Sequence, residues 1–136
     1  NNGTTWAEKN NGLSNIYITN IVTSGTSLAA GSYFGGIYLS NDNGNSWTKS
    51  NNGLPVTDLV IGLMASSGNS IVVSQEQSDF GDDPAGIYLS TNNGASWTSI
   101  KNNLPQFEYI RALAISGSTV FTSVEAVDYQ NSGLYR

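Results

Sequence analysis

The chain has 136 residues, with ten acidic and five basic side chains, and only 11% of it is charged. Five dispersed cations make no phosphate-binding surface, and the absence of His and Cys excludes a Ser-His-Asp triad, a Cys nucleophile and the usual zinc, haem or iron–sulfur sites. No apolar run approaches the roughly 18 residues that span a bilayer, while carboxylate chemistry and oxygen-ligated cations stay open.

Hydrophobic residues make up 38% of the chain, enough for a core, and the polar share comes from 17 Asn, 19 Ser and 15 Gly. These are turn and strand formers rather than helix formers. The chain opens on Asn1-Asn2-Gly3-Thr4-Thr5-Trp6 and runs through a polar stretch to Gly12-Leu13. An apolar run over 16–25 ends in the turn Ser24-Gly25-Thr26. After a second strand, Gly36-Ile37-Tyr38-Leu39 leads into Ser40-Asn41-Asp42-Asn43-Gly44-Asn45-Ser46-Trp47. The cycle then recurs. Gly53-Leu54-Pro55 is followed by an apolar run over 59–68, the turn Ser67-Gly68-Asn69, and Gly86-Ile87-Tyr88-Leu89 before Ser90-Thr91-Asn92-Asn93-Gly94-Ala95-Ser96-Trp97. A third pass gives Asn103-Leu104-Pro105, a run over 110–117, the turn Ser116-Gly117-Ser118 and the lead-in Gly133-Leu134-Tyr135-Arg136.

Each pass predicts four short strands; in the third they are roughly 110–116, 119–124, 133–136 and a segment that a tryptophan opens. The Ser-Gly turns read as hairpins, and Asn2-Gly3, Asn43-Gly44 and Asn93-Gly94 supply the positive φ that tight turns need. No segment carries a sustained helical period with caps. Four-stranded units at a period of 40 to 50 residues predict an all-β chain of propeller blades, about three of them, with repeats at 1–40, 41–90 and 91–136.

The eight-residue element resembles the Asp box, or BNR repeat, with the pattern Ser-x-Asp-x-Gly-x-Ser/Thr-Trp. Ser40, Asp42, Gly44 and Trp47 match it fully; Ser90, Asn92, Gly94 and Trp97 match with Asn for Asp; Asn1, Gly3 and Trp6 form a copy that begins inside the motif. Such propellers occur in sialidases, sortilin-type receptors, xyloglucanase-like hydrolases and photosystem II assembly factor-like proteins. The resemblance implies a structural hairpin between a blade's third and fourth strands, with Asp or Asn and Ser bonding the turn backbone and Trp packed into the blade. Asx side chains favour such turns on their own account.

The first fourth strand lacks its blade, the last blade lacks its fourth strand, and three blades are too few to close a ring. A piece of a longer propeller is one explanation. Completion of one chain's last blade by another's N-terminal strand is the other, giving a two-chain six-bladed ring or a head-to-tail polymer.

Alternating hairpins put the first–second turns and the boxes on one side. The second–third loops at 31–35, 75–85 and 125–132 and the connections at 8–15, 49–58 and 99–109 fall on the other. Variable loops on a rigid scaffold carry function. Their aromatics, Tyr33, Phe34, Phe80, Phe107, Tyr109 and Tyr129, are candidates to stack on sugar rings or anchor a protein, with Asp128 beside them, and inter-blade packing is the competing role. Tyr38, Tyr88 and Tyr135 read as packing residues. Asp79, Asp82 and Asp83 surround a glycine and are a candidate calcium loop, a solvated acidic loop being the alternative. Two arginines cannot form a sialidase-type arginine cluster.

The function expected is therefore a non-catalytic binding or scaffold module. It is expected to be secreted or on a cell surface, of bacterial origin by its Asn/Ser/Thr-rich composition, with a protein or glycan ligand and self-association but no nucleic acid. A fragment of a glycoside hydrolase is the alternative function.

Overall fold

The computed structural model describes residues 3–55, 59–76 and 85–136. Among them lie eleven strands in three antiparallel sheets, each ordered as the chain runs. The first sheet is β1 (Ile18–Ser24), β2 (Ser27–Ser32), β3 (Gly36–Ser40) and β4 (Thr48–Lys49). The second is β5 (Val60–Ser67), β6 (Ser70–Glu76), β7 (Gly86–Ser90) and β8 (Thr98–Ser99). The third is β9 (Phe107–Ser116), β10 (Thr119–Ala126) and β11 (Gly133–Tyr135). The all-β expectation holds, with four-stranded units in the first two sheets.

Each first hairpin turns on a glycine, Gly25, Gly68 or Gly117, with φ of 58°. That suits the first central position of a type II′ turn, whose twist matches the strands it joins. The registers Ser24↔Ser27, Ser67↔Ser70 and Thr119↔Ser116 then coincide in the three sheets, which makes residues equivalent from sheet to sheet.

The sheets stack in chain order. Between the first and second lies a core of Ala29, Ile37, Leu54, Leu59, Ile61, Ile71, Val73 and Trp97. Between the second and third lies another, of Val72, Ile87, Ile110 and Val124 with half-buried Leu63, Leu104, Phe107 and Val120. Strand β6 feeds Ile71 and Val73 to one core and Val72 to the other, so its apolar run is continuous rather than alternating. Gly31 permits the close approach of β1–β2 to β5, since a Cβ there would overlap Ile61 and Met64. Thr19 adds a hydroxyl bond to the Ile61 carbonyl at 2.7 Å.

Strand β9 starts earlier than the sequence predicts, at Phe107, and β10 continues to Ala126. Phe107, Tyr109 and Glu125 are therefore strand residues, paired Tyr109↔Glu125 and Phe107↔Ala126 past irregularities in register. The Phe-Glu-Tyr-Ile alternation carries the strand on, because Phe107 packs into the second core.

Candidate functional site

Two loop faces emerge. On one, hairpins and eight-residue turns interlock. Ser24 Oγ donates to Asn93 Oδ1 at 3.0 Å, Asn93 N to the Asn69 carbonyl at 2.9 Å and Gly25 N to the Gly68 carbonyl at 3.1 Å. On the other, Tyr33 N donates to the Tyr17 carbonyl at 2.9 Å and Val127 N to the Gln106 carbonyl at 3.2 Å. In the first and third sheets this second face thus joins the second–third loop to the segment that leads into the sheet, as the strand order predicts.

The turn at 40–47 is held by its own side chains. Ser40 Oγ accepts from Gly44 N at 2.8 Å and donates to Asp42 Oδ1 at 2.8 Å. Asp42 also accepts from Ser46 N at 2.9 Å and from the Ser46 hydroxyl at 2.6 Å. The Ser46 hydroxyl first, then the Ser46 N–H and the Ser40 hydroxyl, stabilise the anion and lower the Asp42 pKa from 3.8 to about 2. At 90–97, Asn92 Oδ1 accepts from Ser90 Oγ and Ser96 N, while Asn92 Nδ2 donates to Ser96 Oγ at 2.9 Å. Only that last bond reverses direction, so Asn replaces Asp without loss of a partner. Asn43 and Asn93 take φ of 58° and 57°, followed by Gly44 at 81° and Gly94 at 86°. Gly3, at 80°, keeps the turn form, and an added Cβ would stand 3.7 Å from Trp6 Cζ2 as at Gly44 from Trp47 Cζ2.

The tryptophans pack by one rule. Trp47 N donates to the Asn11 carbonyl and Trp97 N to the Asn52 carbonyl, each at 2.9 Å. Their indole N–H groups donate to the carbonyls of Lys9 and Ser50, again at 2.9 Å. Each thus grips the connection leading into its own sheet. A Cβ at Gly12 or Gly53, where φ is 90° and 91°, would overlap the Trp47 or Trp97 carbonyl oxygen. Trp6, expected to be packed like the others, is instead 92% exposed, against 8% and 4% for Trp47 and Trp97. The described residues hold no connection and sheet preceding it for it to grip.

On the second face Tyr33 and Phe34 meet edge to face, with centroids 4.3 Å apart and planes at 68°, and Phe34 is held at φ of 67°. Asn15 Nδ2 donates to the Tyr33 carbonyl at 2.7 Å, and Asn15 Oδ1 accepts from Tyr17 N at 2.8 Å. Asn15 thereby ties the backbone of Tyr17 to that of Tyr33, in a region where Ile16, Tyr17, Tyr33 and Phe34 are all exposed. The alternation Ile16-Tyr17-Ile18 is the signal that could have added Tyr17 to the candidates.

The remaining candidates separate. Phe107 is core-facing. Tyr109 lies under the Arg111 guanidinium, 4.4 Å from its ring centroid, and Arg111 pairs with Glu125 at 2.6 Å. Tyr129 is exposed at φ of 56°, and Asp128 caps its own turn through Asn131. Asn1, Phe80 and the candidate calcium residues Asp79, Asp82 and Asp83 lie outside the described residues. Among the described residues no three His, Cys, Asp or Glu side chains come together.

A cleft of about 100 Å³ opens between the second and third sheets, lined by Ile87, Ile100, Asn102, Leu104, Val120, Thr122, Tyr135 and Arg136. No protein-family model, curated protein or solved structure matches the chain.

Proposed function

We propose that the chain is a run of Asp-box propeller blades acting as a non-catalytic binding module, secreted or at a cell surface, that takes a glycan or protein ligand on its aromatic loop face. The observation that carries this reading is the exposed set Tyr17, Tyr33 and Phe34, with the backbones of Tyr17 and Tyr33 tied together by Asn15 and the Tyr33 and Phe34 rings packed edge to face. Pre-ordered aromatic faces bind sugar rings or protein side chains at low entropic cost. The repeated turns support the blade reading, because two of them share one hydrogen-bond scheme in which Ser40 or Ser90 accepts from the backbone of its own turn. Glu125 is engaged by Arg111 and Asp128 by its turn, so these two acids favour a binding role over glycoside hydrolysis.

Backbone-amide NMR titration with xyloglucan and cello-oligosaccharides tests the glycan form of this reading. Shifts should cluster at 15–17 and 33–35, and Phe34→Ala should weaken binding about tenfold. Shifts confined to the opposite face, or affinity indifferent to Phe34→Ala, would overturn the assignment of the aromatic strip.

A further inference from the structure

We propose that Asn51 is a positioning residue for the aromatic face. From the connection that leaves the first sheet, it holds Phe34 in a left-handed conformation and so fixes how the Tyr33 and Phe34 rings meet. The inference rests on the ligand face assigned above. Phe34 stands at φ of 67° in the turn that joins β2 to β3. A bulky aromatic keeps such a conformation only where its surroundings impose it, and residues held this way gather at ligand clamps. Glycine or asparagine takes the same φ at less cost.

The turn is gripped by its backbone on both sides of Phe34. On one side, Asn15 Nδ2 donates to the Tyr33 carbonyl at 2.7 Å. On the other, Asn51 Nδ2 donates to the Gly35 carbonyl at 3.4 Å, and Asn51 Oδ1 accepts from Ile37 N at 2.8 Å. Ser32, fully buried, donates its hydroxyl to the Gly36 carbonyl at 3.1 Å. Gly36, at φ of 81°, lies against the Asn51 amide, where an added Cβ would stand 2.3 Å from Asn51 Nδ2. The Tyr33 and Gly35 carbonyls are thus both fastened, and the Phe34 backbone turns between them. Asn51 is half-buried and bonds backbone atoms, so it orients the rings without belonging to the face that a ligand meets.

The second sheet leaves its fourth strand in the same way but without this clasp. Ser50 N donates to the Ile37 carbonyl at 2.8 Å and Ile100 N to the Ile87 carbonyl at 2.9 Å, which makes Lys101 the counterpart of Asn51. A lysine has no acceptor to offer Ile87 N. Gly86, the counterpart of Gly36, is not at positive φ, and an added Cβ there would meet the Tyr88 ring instead. Asn51 and Gly36 are therefore a pair particular to the sheet that carries Tyr33 and Phe34, not a requirement of the repeat. Their effect is to set the edge-to-face pair, with centroids 4.3 Å apart, before a ligand arrives. Ordering done in advance lowers the cost of binding.

Solution NMR on the parent, Asn51→Ala and Asn51→Asp tests it, because a left-handed residue gives a strong NOE between its own HN and Hα. The parent should show that NOE at Phe34, together with NOEs between the Tyr33 and Phe34 rings. Asn51→Ala should lose both, while Asn43, left-handed in the turn at 40–47, keeps its own NOE and shows that the variant folds. Binding of a xyloglucan oligosaccharide should weaken about fivefold in Asn51→Ala. Asn51→Asp, which keeps the acceptor for Ile37 N, should lose less of each. Phe34 signals unchanged in Asn51→Ala, or affinity unchanged once those signals are lost, would overturn the positioning role. Loss of the Phe34 signals in a chain whose parent ignores the oligosaccharide would uphold the clasp and overturn the glycan as the ligand of that face.

Discussion

Trp97 donates its indole N–H to the Ser50 carbonyl at 2.9 Å, across 47 residues of sequence. The tryptophan lies late in its repeat, yet the carbonyl belongs to the connection by which the chain enters that repeat. Each closed unit is therefore stapled start to end, and Trp47 with Lys9 does the same one sheet earlier.

Removing a staple opens a cavity and orphans a carbonyl. Trp97→Ala should cost about 3–5 kcal/mol, and Trp47→Ala somewhat less, because its cluster is smaller. Trp6→Ala should leave stability unchanged within about 0.5 kcal/mol, because its indole is exposed. Urea unfolding of the three variants at one low concentration checks the order.

Gly53 and Gly68 both sit at positive φ, but for different reasons. Gly53→Ala adds a clash with the Trp97 carbonyl to backbone strain, whereas Gly68 has nothing within 4 Å of an added Cβ. Gly68→Ala should thus cost about 1–2 kcal/mol from conformation alone, and Gly53→Ala more than that. Equal losses in chemical denaturation would contradict the contact.

Asp42 links the turn to pH. Its folded pKa, about 2, lies below the ordinary value of 3.8. The stabilisation is therefore present above the unfolded pKa and is lost as pH falls from about 4 through about 2. Asp42→Asn, which copies the natural Asn92, should flatten that part of the acid limb while leaving stability near neutrality little changed. Urea midpoints from pH 2 to 7 read the difference, and superimposable acid limbs would show that the Ser46 bonds do not hold in solution.

The repeats, hairpins and turns were legible in the sequence because their chemistry is local. Asn-Gly sets its own φ, and Ser and Asp bond backbone atoms within four residues. The two-face arrangement was legible too, since hairpin alternation fixes it. Less legible was what depends on neighbouring layers. Phe107 and Tyr109 have the look of loop aromatics, but register with Ala126 and Glu125 draws them into β9. Trp6 has the sequence of a buried residue, but burial needs a connection to grip. The common seat of Trp47 and Trp97 is written in no single motif; it shows only when equivalent positions of successive sheets are compared.

Acrylamide quenching of tryptophan fluorescence at high dilution tests that equivalence most directly. One of the three tryptophans should be freely quenched with red-shifted emission, and Trp6→Phe should remove that component while leaving two protected indoles. Ready quenching that persists in Trp6→Phe would contradict the account, because Trp47 and Trp97 would then not be seated between an entering connection and its sheet.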